Sequence, residues 1–268
     1  MSLGRSLRNI GVSEILLGVF LLVGLGLFFR VQLLDLQEDI TYALDPSPQL
    51  AYAYGERHFD AQYQGEYDIA RAEHFFLLAA AQDQDLPYLY HELARISFLN
   101  GDFTVALAQI NYQIALHGDS EPNSYYVRGL IEGYMGQYAV AAEDYKHYIQ
   151  FDPQDWAAMN DYAWVLLKAG QAQEAVYVTE RGLQLFPGNS WLLNTNTVAL
   201  YENGDLSVAE KQAAAAVAAS KTLTVAQWLT AYPGNDPAVA SEGIVSLQNS
   251  AEQNMHTVEV AIASSTVQ

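Results

Sequence analysis

From about residue 49 to residue 222, apolar residues recur at helical spacing, broken by short polar stretches carrying glycine, proline, asparagine or aspartate. In "WAAMNDYAWVLLKAG", Met159, Tyr162, Ala163 and Leu166 fall on one helical face. In "QEAVYVTERGLQLF", Ala175, Val178, Gly182, Leu183 and Phe186 form the stripe of a second helix. Small residues (Ala163, Ala175, Gly182) stand where two helix backbones approach closely. Gly170 supplies the turn that stops the first helix, and Pro187 ends the second because a proline cannot continue a helix interior. The pattern predicts a helical hairpin.

That hairpin repeats. Gly136, Gly170 and Gly204 are spaced 34 residues apart, as are Ala141, Ala175 and Ala209, and Pro153 and Pro187. Gly101 lies 35 residues before Gly136, and Gly65 lies 36 before Gly101. Five units follow: Gln49–Asp85, Leu86–Glu121, Pro122–Asp155, Trp156–Asn189 and Ser190–Thr222. A fixed period of this size means stacked supersecondary units, each burying its apolar face only against its neighbours. The segment Thr222–Tyr232, with Leu223, Ala226, Trp228 and Leu229 on overlapping faces, reads as a helix capping the last unit. Such an array argues for a binding scaffold before any residue argues for catalysis.

The units resemble tetratricopeptide repeats (TPR) in their small residues at Gly129 and Ala163, then Gly136 and Gly170, Ala141 and Ala175, and Pro153 and Pro187. The large aromatic usual near the start of the first helix is Tyr125 in one unit and is replaced by Met159 or Leu193 in the next two; Glu132 falls where an aromatic is usual. The resemblance implies an all-α, right-handed superhelix whose first helices line a concave groove. Carried over unit by unit, the groove positions are Tyr88, His91, Arg95 and Phe98; Tyr126, Leu130 and Tyr134; Asn160, Trp164 and Lys168; and Trp191, Asn194, Val198 and Tyr201. Tyr52, Phe59 and Tyr63 would continue the row into the first unit. In this family an asparagine at the register of Asn160 and Asn194 commonly bonds the backbone of a bound peptide. A clamp for a C-terminal carboxylate needs several basic groove residues, and only Arg95 and Lys168 are near.

Before the repeats, Ile15–Phe29 ("ILLGVFLLVGLGLFF") carries no charge, and apolar residues extend it across Glu14 and Arg30 toward the roughly 20 residues that a membrane span needs. No small-residue cleavage site follows, so the stretch is expected to be an uncleaved anchor rather than a signal peptide. Arg5 and Arg8 precede it and Arg30 follows, which favours a cytoplasmic N-terminus and an extracytoplasmic repeat domain. The expected organisation is an anchor over 1–36, an acidic proline-containing spacer over 37–48, the repeat domain over 49–233, and a low-charge, partly disordered tail over 234–268.

Composition narrows the function. With 31 Asp and Glu against 12 Lys and Arg, the chain lacks the positive footprint that nucleic-acid binding requires. It has no cysteine, which removes disulfides, zinc-thiolate sites and cysteine nucleophiles. The six histidines are scattered without paired ligand spacing, and no phosphate loop or nucleophile elbow is present. Neither a metal, a cofactor, a small-molecule substrate nor an enzymatic role is expected. The expected function is a membrane-anchored scaffold binding protein or peptide partners through an aromatic- and asparagine-lined groove. Alternatives are an assembly or quality-control factor for envelope or secreted proteins, or a non-catalytic subunit of a membrane enzyme complex.

Overall fold

A computed structural model describes residues 29–60, 66–118 and 120–265, and the elements in these ranges are helices joined by turns. After α1 (Arg30–Leu44) come five hairpins: α2 (Pro48–Phe59) with α3 (Ile69–Gln82), α4 (Leu89–Leu99) with α5 (Phe103–His117), α6 (Asn123–Tyr134) with α7 (Tyr138–Phe151), α8 (Trp156–Lys168) with α9 (Ala172–Leu185), and α10 (Ser190–Asn203) with α11 (Leu206–Ser220). A short α12 (Val225–Ala231), a 3-10 turn (Pro237–Val239) and a long α13 (Ala240–Ser265) complete the fold.

The hairpin turns follow from the sequence. Gly101, Gly136, Gly170 and Gly204 adopt φ of +81°, +79°, +74° and +89°, the left-handed region where a side chain is strained. Helix starts are capped where the sequence supplies a side chain: Asp155 accepts from the N–H groups of Ala157 and Ala158, and Asn189 from that of Leu192. Behind the turns, the apolar stripes merge into a core continuous from hairpin to hairpin. Tyr145, Met159, Ala163, Leu166, Ala175 and Leu192 form its centre, while Phe59, Phe75, Phe76, Leu89 and Ile96 fill the first two units. Gly182 sits where a Cβ would meet the Leu192 methyl groups at 2.9–3.1 Å, so the small residue is required by helix contact. First helices of the second to fifth hairpins also touch one another in turn, which builds much of the wall that carries the site.

Both ends of the chain depart from expectation. The anchor reading rests on residues 1–28, which lie outside the described residues. Among the described residues, no helix is long and apolar enough to cross a membrane, so the single-pass topology and its orientation are not supported. Residues 30–44 form one helix across the expected boundary at 36/37, and its acidic side docks on the first hairpin instead of forming an extended spacer. Glu38 is buried, bonded to the Arg57 guanidinium and 2.7 Å from His58 Nε2. Arg71 donates to the Asp35 carbonyl at 2.8 Å and to Asp39 Oδ1 at 2.7 Å. Pro48 opens α2 in its first turn, where a missing N–H is harmless, and Ser47 caps the helix.

At the other end, the tail expected to be partly disordered over 234–268 contains the 26-residue α13. It lies along α10 and α11, with Ile244, Ala251 and Val258 buried, and covers the face that a further repeat would otherwise cover. Trp228 of α12 lies against Gly243, whose Cβ would stand 2.3 Å from the indole nitrogen, so two helices share the capping role.

Candidate functional site

The first helices of the first three hairpins face a cleft of about 490 Å³. α2 contributes Tyr52 and Glu56, α4 contributes His91, Glu92, Arg95 and Phe98, and α6 contributes Tyr126 and Leu130. The far wall is the chain's own loop Tyr232–Asn235, between α12 and the 3-10 turn. Tyr88, at the start of α4, holds φ +60°, a strained backbone for a bulky residue, and its N–H donates to Glu121 Oε2 at 3.2 Å.

Charge inside the cleft is organised by Arg95. Its Nη1 donates to Glu92 Oε2 at 2.6 Å, its Nη2 donates to the Pro233 carbonyl at 2.7 Å, and its guanidinium lies 4.6 Å above the Phe59 ring. Burial pushes the Glu92 carboxyl up to about 8, against the pull of Arg95. Burial, then the charge of Asp60, raises Glu56 to about 7, and its Oε1 is buried without a hydrogen-bond partner. Burial first, then Arg95, lowers His91 to about 3, so its ring is neutral. His91 Nδ1 lies 3.3 Å from the Ser124 hydroxyl and Nε2 lies 3.8 Å from Glu92 Oε1. Ser124 is wholly buried and cannot meet a substrate, so this trio holds α4 to α6.

The expected groove residues divide into three groups. Tyr88, His91, Arg95, Phe98, Tyr126 and Leu130 share the cleft. Tyr134 and Trp164 continue it as a row of rings: Phe98 to Tyr134 at 5.0 Å, and Tyr134 to Trp164 at 5.7 Å. Lys168 is exposed at the end of α8. The remainder are engaged by the protein itself. The Asn160 side chain accepts from the Thr195 hydroxyl at 2.8 Å and donates to Asp161 at 3.2 Å. Asn194 donates to Ser250 and accepts from Asn254 of α13. The two asparagines therefore bond side chains of this chain, where the resemblance had them bonding a peptide backbone. Trp191 donates from its indole N–H to the Tyr232 hydroxyl at 2.8 Å. Tyr201 packs beside Val258 and Ile262 of α13, and Val198 is half-buried on the same helix. In the first unit Tyr52 lines the cleft, Phe59 is buried beneath Arg95, and Tyr63 lies outside the described residues.

Sequence reasoning missed the carboxyls Glu56 and Glu92, which lie one helical turn from expected ring positions, and it missed the returning loop. The signal for the loop was the Pro-Gly pair directly after an aromatic-rich capping segment. It also missed Asp35, Glu38 and His58, which bring one potential metal-ligand atom each within 4.8 Å of one another. Arg57 and Arg71 already pair with those carboxylates, so guanidinium groups supply the positive charge a metal would bring.

The comparisons agree with this architecture. The tetratricopeptide repeat family matches residues 144–177. A crystal structure of MamA protein superposes with a TM-score of 0.55 at 15% identity, over 65% of this chain and 92% of that one. The MamA RS-1 double mutant gives 0.57 at 14% identity, over 65% of this chain and 95% of that one. YrrB, titled "a TPR protein with an unusual peptide-binding site", gives 0.51 at 15% identity, over 57% of this chain and 79% of that one. No curated protein matches by sequence. Residues 144–177 thus match the tetratricopeptide repeat family, and the chain has the helical-repeat fold of these structures.

Proposed function

We propose that this protein is a protein-interaction scaffold that holds a peptide segment of a partner in the cleft between its first three hairpins and its own C-terminal loop. The observation that carries this reading is the convergence of Tyr52, Tyr88, Phe98, Tyr126 and Leu130 with Arg95 and two carboxyls on one open cleft. Rings and an aliphatic side chain supply apolar area, while the charged groups fix polar atoms of a ligand. The tetratricopeptide match and the likeness to a peptide-binding repeat protein support the same class of function. Fold alone does not choose among functions, so the site carries the argument.

The test is selection of peptides from a display library against the full chain, followed by affinity measurement by fluorescence anisotropy. Phe98→Ala and Leu130→Ala, verified as folded by circular dichroism, are expected to weaken selected peptides about tenfold each, equivalent to ~1.4 kcal/mol. Unchanged affinities for both variants would move the binding surface away from this cleft.

A further inference from the structure

The loop that forms the far wall of the cleft is held as a ligand would be. Tyr232-Pro233-Gly234-Asn235 is a β-turn closed by the Asn235 N–H donating to the Tyr232 carbonyl at 3.2 Å, with proline at its second position and glycine at φ +79° in its third. This is the pattern of a type II turn. Three hydrogen bonds reach it from distant repeats, each to a different residue of the turn. The Trp191 indole N–H donates to the Tyr232 hydroxyl at 2.8 Å, Arg95 donates to the Pro233 carbonyl at 2.7 Å, and the Tyr67 hydroxyl donates to the Gly234 carbonyl at 2.9 Å. A fourth restriction is steric. A Cβ on Gly234 would stand 2.5 Å from Arg95 Nη2 and 2.9 Å from the Phe59 ring. Around these contacts Gly234 is buried and the Tyr232 ring packs 4.9 Å from that of Trp228, while Pro233 is exposed. The 490 Å³ cleft opens on one side and a second cavity of about 170 Å³ on the other, and Tyr232 remains 38% exposed.

We infer that residues 232–235 are an internal copy of the partner motif: the groove recognises a hydroxyl-bearing aromatic followed by a Pro-Gly type II turn, and the protein's own turn occupies that subsite until a partner loop displaces it. The inference rests on the scaffold reading above and names the chemistry of its ligand. Each part of the motif has a partner. The phenol oxygen accepts from Trp191, the two carbonyls accept from Arg95 and Tyr67, proline leaves no N–H unpaired, and glycine alone clears Arg95 and Phe59. Because α12 and α13 tether the internal copy, its effective concentration is on the order of millimolar, and a free peptide of the same sequence competes poorly with it.

The probe is a fluorescein-labelled peptide of residues 230–237, TAYPGNDP, titrated against the full chain by anisotropy. Gly234→Val expels the internal turn, and Tyr232→Phe takes from the internal copy alone the hydroxyl that accepts from Trp191, leaving every groove donor in place. Gly234→Val is expected to bind the peptide at least tenfold more tightly than the unsubstituted chain, and Tyr232→Phe about threefold more tightly. Adding Trp191→Phe to Gly234→Val should remove most of the gain, and a probe with valine in place of its glycine should bind none of the proteins. Peptides from the display selection provide the second arm. If they bind and depend on Phe98 and Leu130, yet neither loop variant changes their affinity or captures the TAYPGNDP probe, the turn is a structural latch. The motif assignment is then overturned while the scaffold reading stands. If Gly234→Val loses its fold, Tyr232→Phe decides: equal affinity to the unsubstituted chain for both kinds of peptide overturns the assignment.

Discussion

Glu132 occupies a buried position on α6, and its surroundings make it a measurable liability. Arg128 is committed to the neighbouring carboxylate, with Nε 2.6 Å and Nη2 2.7 Å from the two oxygens of Asp144. From Arg128, Glu132 receives only the far contact, with Oε1 4.0 Å from Nε; a hydrogen bond with Asp144 further raises its carboxyl, and its Oε2 is buried without a hydrogen-bond partner. Burial, then the charge of Asp144, raises its carboxyl from 4.5 to about 7, with Arg128 opposing. The folded state therefore holds a proton that the unfolded state releases between those two values. Stability grows as pH falls through 7 and levels off below 4.5. At 1.36 kcal/mol per unit, the full effect is about 3 kcal/mol.

Glu132→Gln removes the titration and keeps the shape. Chemical denaturation at pH 8 and pH 5 measures the consequence. The variant is expected to be more stable than the unsubstituted chain by about 3 kcal/mol at pH 8, with the difference shrinking to about 1 kcal/mol at pH 5. Glu56, Glu92 and Asp161 also have raised carboxyls, from burial first, so both proteins should gain stability toward pH 5. The contribution of Glu132 is the difference between the two curves. A constant difference across the range, or a variant less stable at pH 8, would refute an ionised and poorly compensated Glu132.

Two further substitutions test the frame that holds the site. Gly170→Val places a β-branched residue at φ +74°, and because nothing lies within 4 Å of the new Cβ the loss is conformational, about 2 kcal/mol in denaturant midpoint analysis; an unchanged midpoint would remove the turn assignment. Glu38→Ala leaves Arg57, Arg71 and His58 without their shared carboxylate and should destabilise by about 3 kcal/mol while speeding amide exchange over residues 30–44; unaltered exchange there would mean that α1 is not held by this cluster.

What the sequence made legible was whatever repeats. The period identified the five hairpins, because the turns at Gly101, Gly136, Gly170 and Gly204 share a left-handed glycine and close helix contacts such as that at Gly182 require a small residue. Register then placed Tyr88, His91, Arg95, Phe98, Tyr126 and Leu130 on one surface, since positions one helical turn apart on first helices share a wall. The ends were illegible for the opposite reason. α1 is acidic and proline-flanked, which reads as a spacer, yet its carboxylates are complementary to Arg57, His58 and Arg71, residues whose partners lie about 20–35 positions away and obey no period. The α13 segment carries little charge and reads as a loose helix over 238–254 followed by a frayed end. It forms because the exposed faces of α10 and α11 offer apolar surface and the amide of Asn194 to whatever follows them.

Occupancy of the groove is a separate question from its location. Trp191 and Arg95 were identified as groove residues from their register, and that placement says nothing about what their donors bond. A buried or half-buried donor must find an acceptor, and in a solenoid whose chain doubles back, the nearest acceptors belong to the chain itself. Here the acceptors are the Tyr232 hydroxyl and the Pro233 carbonyl, 41 and 138 residues away in sequence. The same donors cannot serve a partner at the same time. Any ligand reaching Trp191 and Arg95 must therefore replace the turn rather than add to it, and its affinity will report the difference between two similar sets of hydrogen bonds. Tyr52, Tyr126 and Leu130 are not consumed in this way, so the apolar half of the cleft is open to a partner before the turn moves.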